Sequence, residues 1–338
     1  MSVNPDKKPG GEDVSAFEVG EWGVINLIWS RLKRDPLEVL GLDDVVARRI
    51  GGGKLLVAHV DTLSQSTDVL PGMTPHSIGF KSVVMNVSDM AAKGVEPLGM
   101  LFSLGLPSDY PLTSVAEIAE GWRDATSKYG IYVWGGDITE SRELMVTGAI
   151  IGLAPEGRVV GRRGARPGDL IACMGSFGLT SVAYMILLEG KKTRFKAVEE
   201  RAKRAVYYPK AYLKEGIRLA RLRVLTASMD SSDGLAWSLH TISSLNNVGI
   251  ELTNIPVPRE VLAYADEHGL DPYELALYGG EEYSLVFTMR PDGLDLLPNS
   301  LRRRVTVMGK LTRDKKIRLI VEGSERIIEP RGWEHFKR

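Results

Sequence analysis

Cysteine is almost absent from this chain: Cys173 is the only one in 338 residues. An internal disulfide is therefore excluded, and a reducing compartment fits. A surplus of either charge is missing too. The 43 lysines and arginines match the 43 aspartates and glutamates, which argues against nucleic acid as a partner, because that polyanion is met by a basic excess or stripe. No apolar run approaches the ~18 residues of a membrane-spanning helix, so no membrane partner is expected. The opening MSVNPDKKPGGED lacks the apolar core of a signal peptide. Histidine is scarce, and no Ser-His-Asp or Cys-His arrangement stands out to supply a nucleophile. Cys173, within the strand IACM, reads as a small buried apolar residue. These absences leave a cytoplasmic enzyme as the expectation.

What is present suits two domains, given the usual ~100–200 residues per domain. Residues 1–19 are polar with proline and glycine and read as a flexible extension. Prolines and glycines cluster from Pro155 to Gly168 and put a domain junction near Ala154. An N-terminal domain over 20–154 and a C-terminal α/β domain over 155–338 follow. Strand and helix patterns alternate in both, giving an α/β (α+β) fold class.

The stretch from Gly51 to Pro97 organises the rest. Leu55, Leu56, Val57 and Val60 form an apolar strand ending on Asp61, with the turn Gly51 to Gly53 before it. Gly52-Gly53-Lys54 is not a phosphate-binding loop: Leu55 stands where Ser or Thr belongs, and the glycines precede a strand. Thr74 and Pro75 predict a helix start, Gly94 predicts its end, and Asp89 falls in the last turns. Upstream, Glu21 to Lys33 has helical spacing. Downstream, Ile131 to Trp134 is a strand delivering Gly135-Gly136-Asp137, and Val224 to Ala227 leads to Met229-Asp230-Ser231-Ser232-Asp233.

Asp43, Asp61, Asp89, Asp137, Asp230 and Asp233 share one kind of position. Five of the six stand at the ends of apolar strands or in turns beside them, where α/β folds place ligands. Gathered in one cleft they would repel and call for cations. Several Mg²⁺ ions, which prefer carboxylates and substrate phosphates, would satisfy them and give a neutral chain positive charge for an anionic substrate. His59 is the histidine nearest these motifs. The Arg162-Arg163-Gly164 corner offers fork donors for phosphate, and Trp333 is a packing anchor or a stacking surface.

The motifs LDD at Leu42–Asp44, VDTL at Val60–Leu63, NVSDMAAKG at Asn86–Gly94, GGDIT at Gly135–Thr139, RRGARPGD at Arg162–Asp169, DSSDGL at Asp230–Leu235, GGEEY at Gly279–Tyr283 and GWEHF at Gly332–Phe336 resemble, in combination, the thiamine-monophosphate kinases. These belong to the superfamily of aminoimidazole ribonucleotide synthetase. The resemblance implies a two-domain fold whose N-terminal sheet forms a barrel across a homodimer. It further implies direct in-line transfer of the γ-phosphoryl of ATP to thiamine monophosphate, in thiamine diphosphate biosynthesis. By similarity, Asp43, Asp61, Asp89, Asp137, Asp230 and Asp233, with the Val60 carbonyl, would hold several Mg²⁺, and Asp137, Asp230 and Asp89 would be catalytic. Gly136, Asp137, Arg162 and Ser232 would meet ATP; Asp68, Glu281 and Trp333 would meet the thiamine part. Three positions depart from the commoner bacterial pattern: His59-Val60 replaces a Ser-Thr pair, Asp68 replaces a histidine, and Ala119 replaces an aromatic.

Overall fold

The computed structural model describes residues 14–334 and Phe336. Residues 1–13, most of the expected flexible extension, and His335 of the GWEHF motif lie outside the described residues. The chain divides into a small unit, formed by its two ends up to Pro36 and from Trp333, and a large unit, Leu37–Gly332.

In the small unit α1 spans Ala16–Arg31. It starts earlier than the apolar spacing suggests because Ser15 and Glu18 cap it: the Ser15 amide donates to Glu18 Oε2 at 2.8 Å. Ala16–Val19, expected to be flexible, are therefore helical. Gly20, at φ 68°, breaks the element into two pieces.

The large unit carries two sheets. The first contains β1 (Val46–Gly51), β2 (Lys54–Ser64), β3 (Glu96–Leu106), β4 (Tyr132–Glu140) and β5 (Met145–Pro155), in the order β1-β2-β5-β3-β4. The second contains β6 (Leu170–Met174), β7 (Leu225–Ser231), β8 (Gly249–Leu252), β9 (Ser284–Met289), β10 (Thr306–Thr312), β11 (Ile317–Val321) and β12 (Ser324–Ile327), in the order β12-β11-β8-β10-β6-β9-β7. The change of sheet falls after Pro155, beside the expected junction, yet one buried cluster draws residues from both sheets.

The glycines at 51–53 turn the β1–β2 hairpin, all at positive φ, as their rejection as a phosphate loop requires. Two strands run further than the sequence suggests. β2 pairs with β5 residue for residue as far as Ser64 opposite Met145, so Asp61 lies inside the strand rather than at its end. β4 likewise continues through Gly135-Gly136-Asp137, with Asp137 opposite Ser103. In both cases the neighbouring strand supplies the hydrogen bonds that keep the chain extended beyond its apolar run.

Between the sheets lies α3 (Pro75–Lys93), which follows the short α2 (Gln65–Asp68). The Thr74 hydroxyl accepts from the Ser77 amide at 3.2 Å, Pro75 occupies the first turn, and Gly94 closes the helix in the left-handed conformation, matching the start and stop signals. Nearly every residue of α3 from Ser77 onward is buried. A helix buried all round must be packed on all sides. Its neighbours are the first sheet, α4 (Leu112–Tyr129), strands β7 and β9, and, after α5 (Leu179–Leu187) and α6 (Lys196–Tyr207), α7 (Leu213–Arg221).

Close approach to α4 depends on two glycines. A Cβ at Gly79 would lie 2.1 Å from the Ile118 carbonyl oxygen, and one at Gly121 would lie 2.1 Å from that of His76. Backbone cannot yield as a flexible side chain can. Gly121→Val is therefore expected to cost about 3 kcal/mol, the upper range for overpacking. Chemical denaturation checks this, and an unchanged midpoint would show that α4 slides freely.

Candidate functional site

Five chain segments bring acids and bases to the C-terminal half of α3. The loop before β1 supplies Asp43 and Asp44, β2 supplies His59 and Asp61, α3 supplies Ser88, Asp89 and Lys93, the loop after β5 supplies Arg162, and β7 supplies Asp230. Lys93 is fully buried. Its ammonium lies 2.6 Å from Asp43 Oδ1 and 2.6 Å from Asp44 Oδ2, and donates to the Ser228 carbonyl at 2.5 Å. Arg162 closes the other side: its amide donates to Asp43 Oδ2 at 2.8 Å, and Nε and Nη2 donate to Asp44 Oδ1. Ser88 Oγ donates to Asp230 Oδ2 at 2.6 Å.

These contacts sort the carboxylates into two kinds. Burial works against charge on Asp44, yet Arg162 and Lys93 hold its carboxyl below the ordinary range. No lysine or arginine forms an ion pair with Asp61, Asp89 or Asp230 among the described residues. Burial, then repulsion from Asp230, Asp44 and Asp61, pushes Asp89 well above that range. Burial and the Asp44 charge push Asp230 up to about 7, and burial raises Asp61. Folded carboxyls that hold protons more tightly than unfolded ones stabilise the fold at low pH and lose that contribution as pH rises through the folded value. Metal-free protein is thus expected to lose thermal stability between about pH 5 and 8, and melting curves in EDTA check the sign. A stability that rose over that interval would contradict the assignment.

His59, Asp61 and Asp89 present ligand atoms within 4.8 Å of one another, as do Asp44, Asp89 and Asp230. The His59 ring is oriented by Nδ1, which donates to the Asp44 carbonyl at 2.6 Å. Nε2 then faces Asp89 Oδ2 at 3.2 Å without a hydrogen bond. A buried lone pair beside a carboxylate, with further carboxylates around it, is a donor set that fits a divalent cation. At Asp43 the fit fails: one oxygen meets Lys93 and the other the Arg162 amide, so a metal would have to displace both.

A second cluster forms at the N-terminal half of α3. Lys81, also fully buried, lies 2.5 Å from Glu281 Oε1 and donates to the Asp68 carbonyl at 3.1 Å. Tyr184 OH donates to Glu281 Oε2 at 2.7 Å. The Glu281 amide donates to the Ser232 carbonyl at 2.6 Å and that of Tyr283 to Ser231, tying GGEEY to DSSDGL. Glu281 and Tyr283 both hold left-handed backbone, at φ 63° and 50°. Such strain in non-glycine residues persists where the surroundings enforce it, and it concentrates at functional sites.

Not every expected residue joins these clusters. Asp137 and Gly136 lie on the exposed edge strand β4. Asp137 is three strands across from Thr62, roughly 14 Å at ordinary strand spacing. The six aspartates are thus not gathered within one described cluster. Asp233 stands half-buried just before α8 (Leu235–Asn246). Trp333 belongs to the small unit. Arg163 donates instead to the Leu245 carbonyl. Cys173 is buried and its thiol is pushed up to about 12 by burial, which makes it inert.

Sequence reasoning missed Lys81, Lys93, Asp44, Ser88 and Tyr184. A signal existed for the lysines: both stand in an otherwise apolar and small-residue helix. Lys93 was masked because a basic residue just before a capping glycine is ordinary dipole compensation.

The model of the AIR synthase related protein N-terminal domain matches residues 42–154. The thiamine-monophosphate kinase of Nitrosopumilus maritimus is 35% identical over 83% of this chain and 89% of its own length. That of Pyrococcus horikoshii is 35% identical over 87% and 90%. A solved structure of AaThiL complexed with AMPPCP and TMP superposes with TM-score 0.84 at 29% identity, covering 96% of this chain and 100% of that one. A fold of two sheets around a buried central helix, and relatives matched over most of both lengths, place this chain in the thiamine-monophosphate kinase family.

Proposed function

We propose that this chain transfers the γ-phosphoryl group of ATP directly to the phosphate of thiamine monophosphate, releasing thiamine diphosphate and ADP. The carrying observation is the set Asp61, Asp89 and Asp230, three carboxylates in excess of the fixed cations around them. Such an excess suits a site that handles phosphates through Mg²⁺. The family membership and the solved relative holding AMPPCP and TMP support the same reading.

When bound there, Mg²⁺ would supply charge neutralisation for the transferring phosphoryl oxygens. The chain's own contribution is positional. Asp61, Asp89 and Asp230, with His59, set the place of that charge; Lys81 and Tyr184 hold Glu281 at the acceptor's cationic ring; and the Ser232 segment is fixed by its bond to Glu281. Asp68 lines the same end, and Gly136, Asp137 and Arg162 complete the nucleotide contacts in this reading. No base is needed, because the acceptor phosphate is already an oxyanion. We also infer a homodimer in the cytoplasm: β4 exposes Tyr132, Trp134 and Ile138 along an unpaired sheet edge, a surface natural proteins cover.

The test incubates protein with ATP, Mg²⁺ and thiamine monophosphate and follows both products by chromatography while omitting each component in turn. Equal amounts of ADP and thiamine diphosphate are expected. ADP without thiamine diphosphate would overturn the acceptor.

A further inference from the structure

We propose that the Lys93 ammonium is a permanent cation of the acidic site and occupies the place where a divalent metal would otherwise bridge Asp43 and Asp44. It rests on the kinase reading only in treating the acidic cluster as a metal site.

The geometry is that of a coordinated ion. Three oxygens from three separate segments surround Nζ: Asp43 Oδ1 and Asp44 Oδ2, both at 2.6 Å, and the Ser228 carbonyl at 2.5 Å. An ammonium carries three N–H donors and no acceptor, a charge and number that suit three surrounding oxygens. The side chain is wholly inaccessible, which removes the usual reason for a lysine to sit near acids, a loose solvent-exposed pair. Its position is also fixed from behind. Lys93 is the last residue of α3, and Gly94 turns the chain in the left-handed conformation immediately after it. A Cβ at Gly94 would lie 2.1 Å from the Ala220 Cβ on α7, so the turn is wedged against a neighbouring helix.

Arg162 completes the replacement. With its amide on Asp43 Oδ2 and its guanidinium on Asp44 Oδ1, all four oxygens of the two carboxylates have a protein partner. Two fixed positive charges stand against two negative ones, so nothing between Asp43 and Asp44 calls for a further cation, although Asp44 also faces Asp89 and Asp230. The other carboxylates are different. Asp61, Asp89 and Asp230 have no lysine or arginine in contact among the described residues, and they remain the places where metal binds. This chain therefore takes one divalent ion fewer than a relative with a neutral side chain at this position. Part of its phosphate-binding field is written into the sequence and independent of metal concentration.

The test counts metal directly. Mn²⁺ is titrated into protein without nucleotide, and free Mn²⁺ is read by electron paramagnetic resonance, for wild type, Lys93→Met and Lys93→Arg, with folding followed by circular dichroism. Lys93→Met is expected to bind one Mn²⁺ more per chain than wild type, and Lys93→Arg the same number as wild type. Equal counts in wild type and a folded Lys93→Met would overturn the proposal. Should Lys93→Met fail to fold, Asp43→Asn carries the decision: its Mn²⁺ count is expected to equal that of wild type, and a loss of one ion would show that Asp43 ligates metal after all. Product formation by wild type is measured alongside. Equal counts in an enzyme that makes thiamine diphosphate would sink the lysine assignment alone, whereas a count that differs by one in a protein that makes none would sink the kinase reading alone.

Discussion

Asp89→Asn is expected to lower kcat by about 10³-fold while raising the melting temperature of the metal-free protein. The activity loss follows from the position of the side chain, which belongs to both groups of converging ligands. No other carboxylate among the described residues is shared in this way. Removing one preorganised electrostatic group from a water-excluded site costs roughly 10²–10³ in rate, and a residue common to two ligand groups belongs at the upper end. That factor corresponds to about 4 kcal/mol of transition-state stabilisation. The stability gain has the opposite sign for a simple reason. Burial, Asp230, Asp44 and Asp61 all disfavour charge on Asp89, so a neutral amide removes repulsion that the metal-free fold must otherwise absorb. The paired outcome distinguishes a functional acid from a structural one. A kcat within tenfold of wild type, or a melting temperature that falls, would remove Asp89 from the site.

Lys81→Met should cost about 3 kcal/mol of folding stability, read from chemical denaturation, and should also raise KM for thiamine monophosphate more than it lowers kcat. Deleting one partner of a buried ion pair is worth roughly 3–5 kcal/mol because the other charge stays behind. The lower end applies here, since the Glu281 side chain is 21% exposed and regains some hydration. The kinetic split follows from what Lys81 touches: it holds Glu281 directly and the Asp68 carbonyl beside it, the two residues proposed to meet the thiamine part. A loss confined to kcat would place Lys81 in the other cluster, and unchanged stability would mean that Glu281 finds another partner.

The parts of this fold that local chemistry decides were legible in the sequence. Thr74, Pro75 and Gly94 bound α3 because capping bonds and proline geometry act within a turn, and the three glycines at 51–53 turn a hairpin for the same local reason. Asp61, Asp89 and Asp230 were also recognisable, each at one end of an apolar element or close to it. What the sequence left hidden depends on partners far away along the chain. β2 and β4 overrun their apolar stretches because β5 and β3 pair with them. Asp137 was grouped with the other aspartates by its motif, although the strand order β2-β5-β3-β4 carries it to the opposite edge. Lys93 and Arg162 are separated from Asp44 by about fifty and more than a hundred residues, so their ion pairs have no local signature. Asp44 itself stood beside Asp43 in the LDD motif, and only the fold shows which of its oxygens meets which cation.

The buried course of α3 has a consequence for the distance between its two lysines. Lys81 and Lys93 are twelve residues apart on one uninterrupted helix, or about 18 Å at 1.5 Å per residue. Lys81 with Glu281 and Lys93 with Asp43 and Asp44 are thus held apart by a gauge block of fixed length. Each residue also turns the helix by about 100°, so a single insertion or deletion between them would swing one end out of register with its partners. The spacing of the two buried lysines therefore cannot be retuned in small steps.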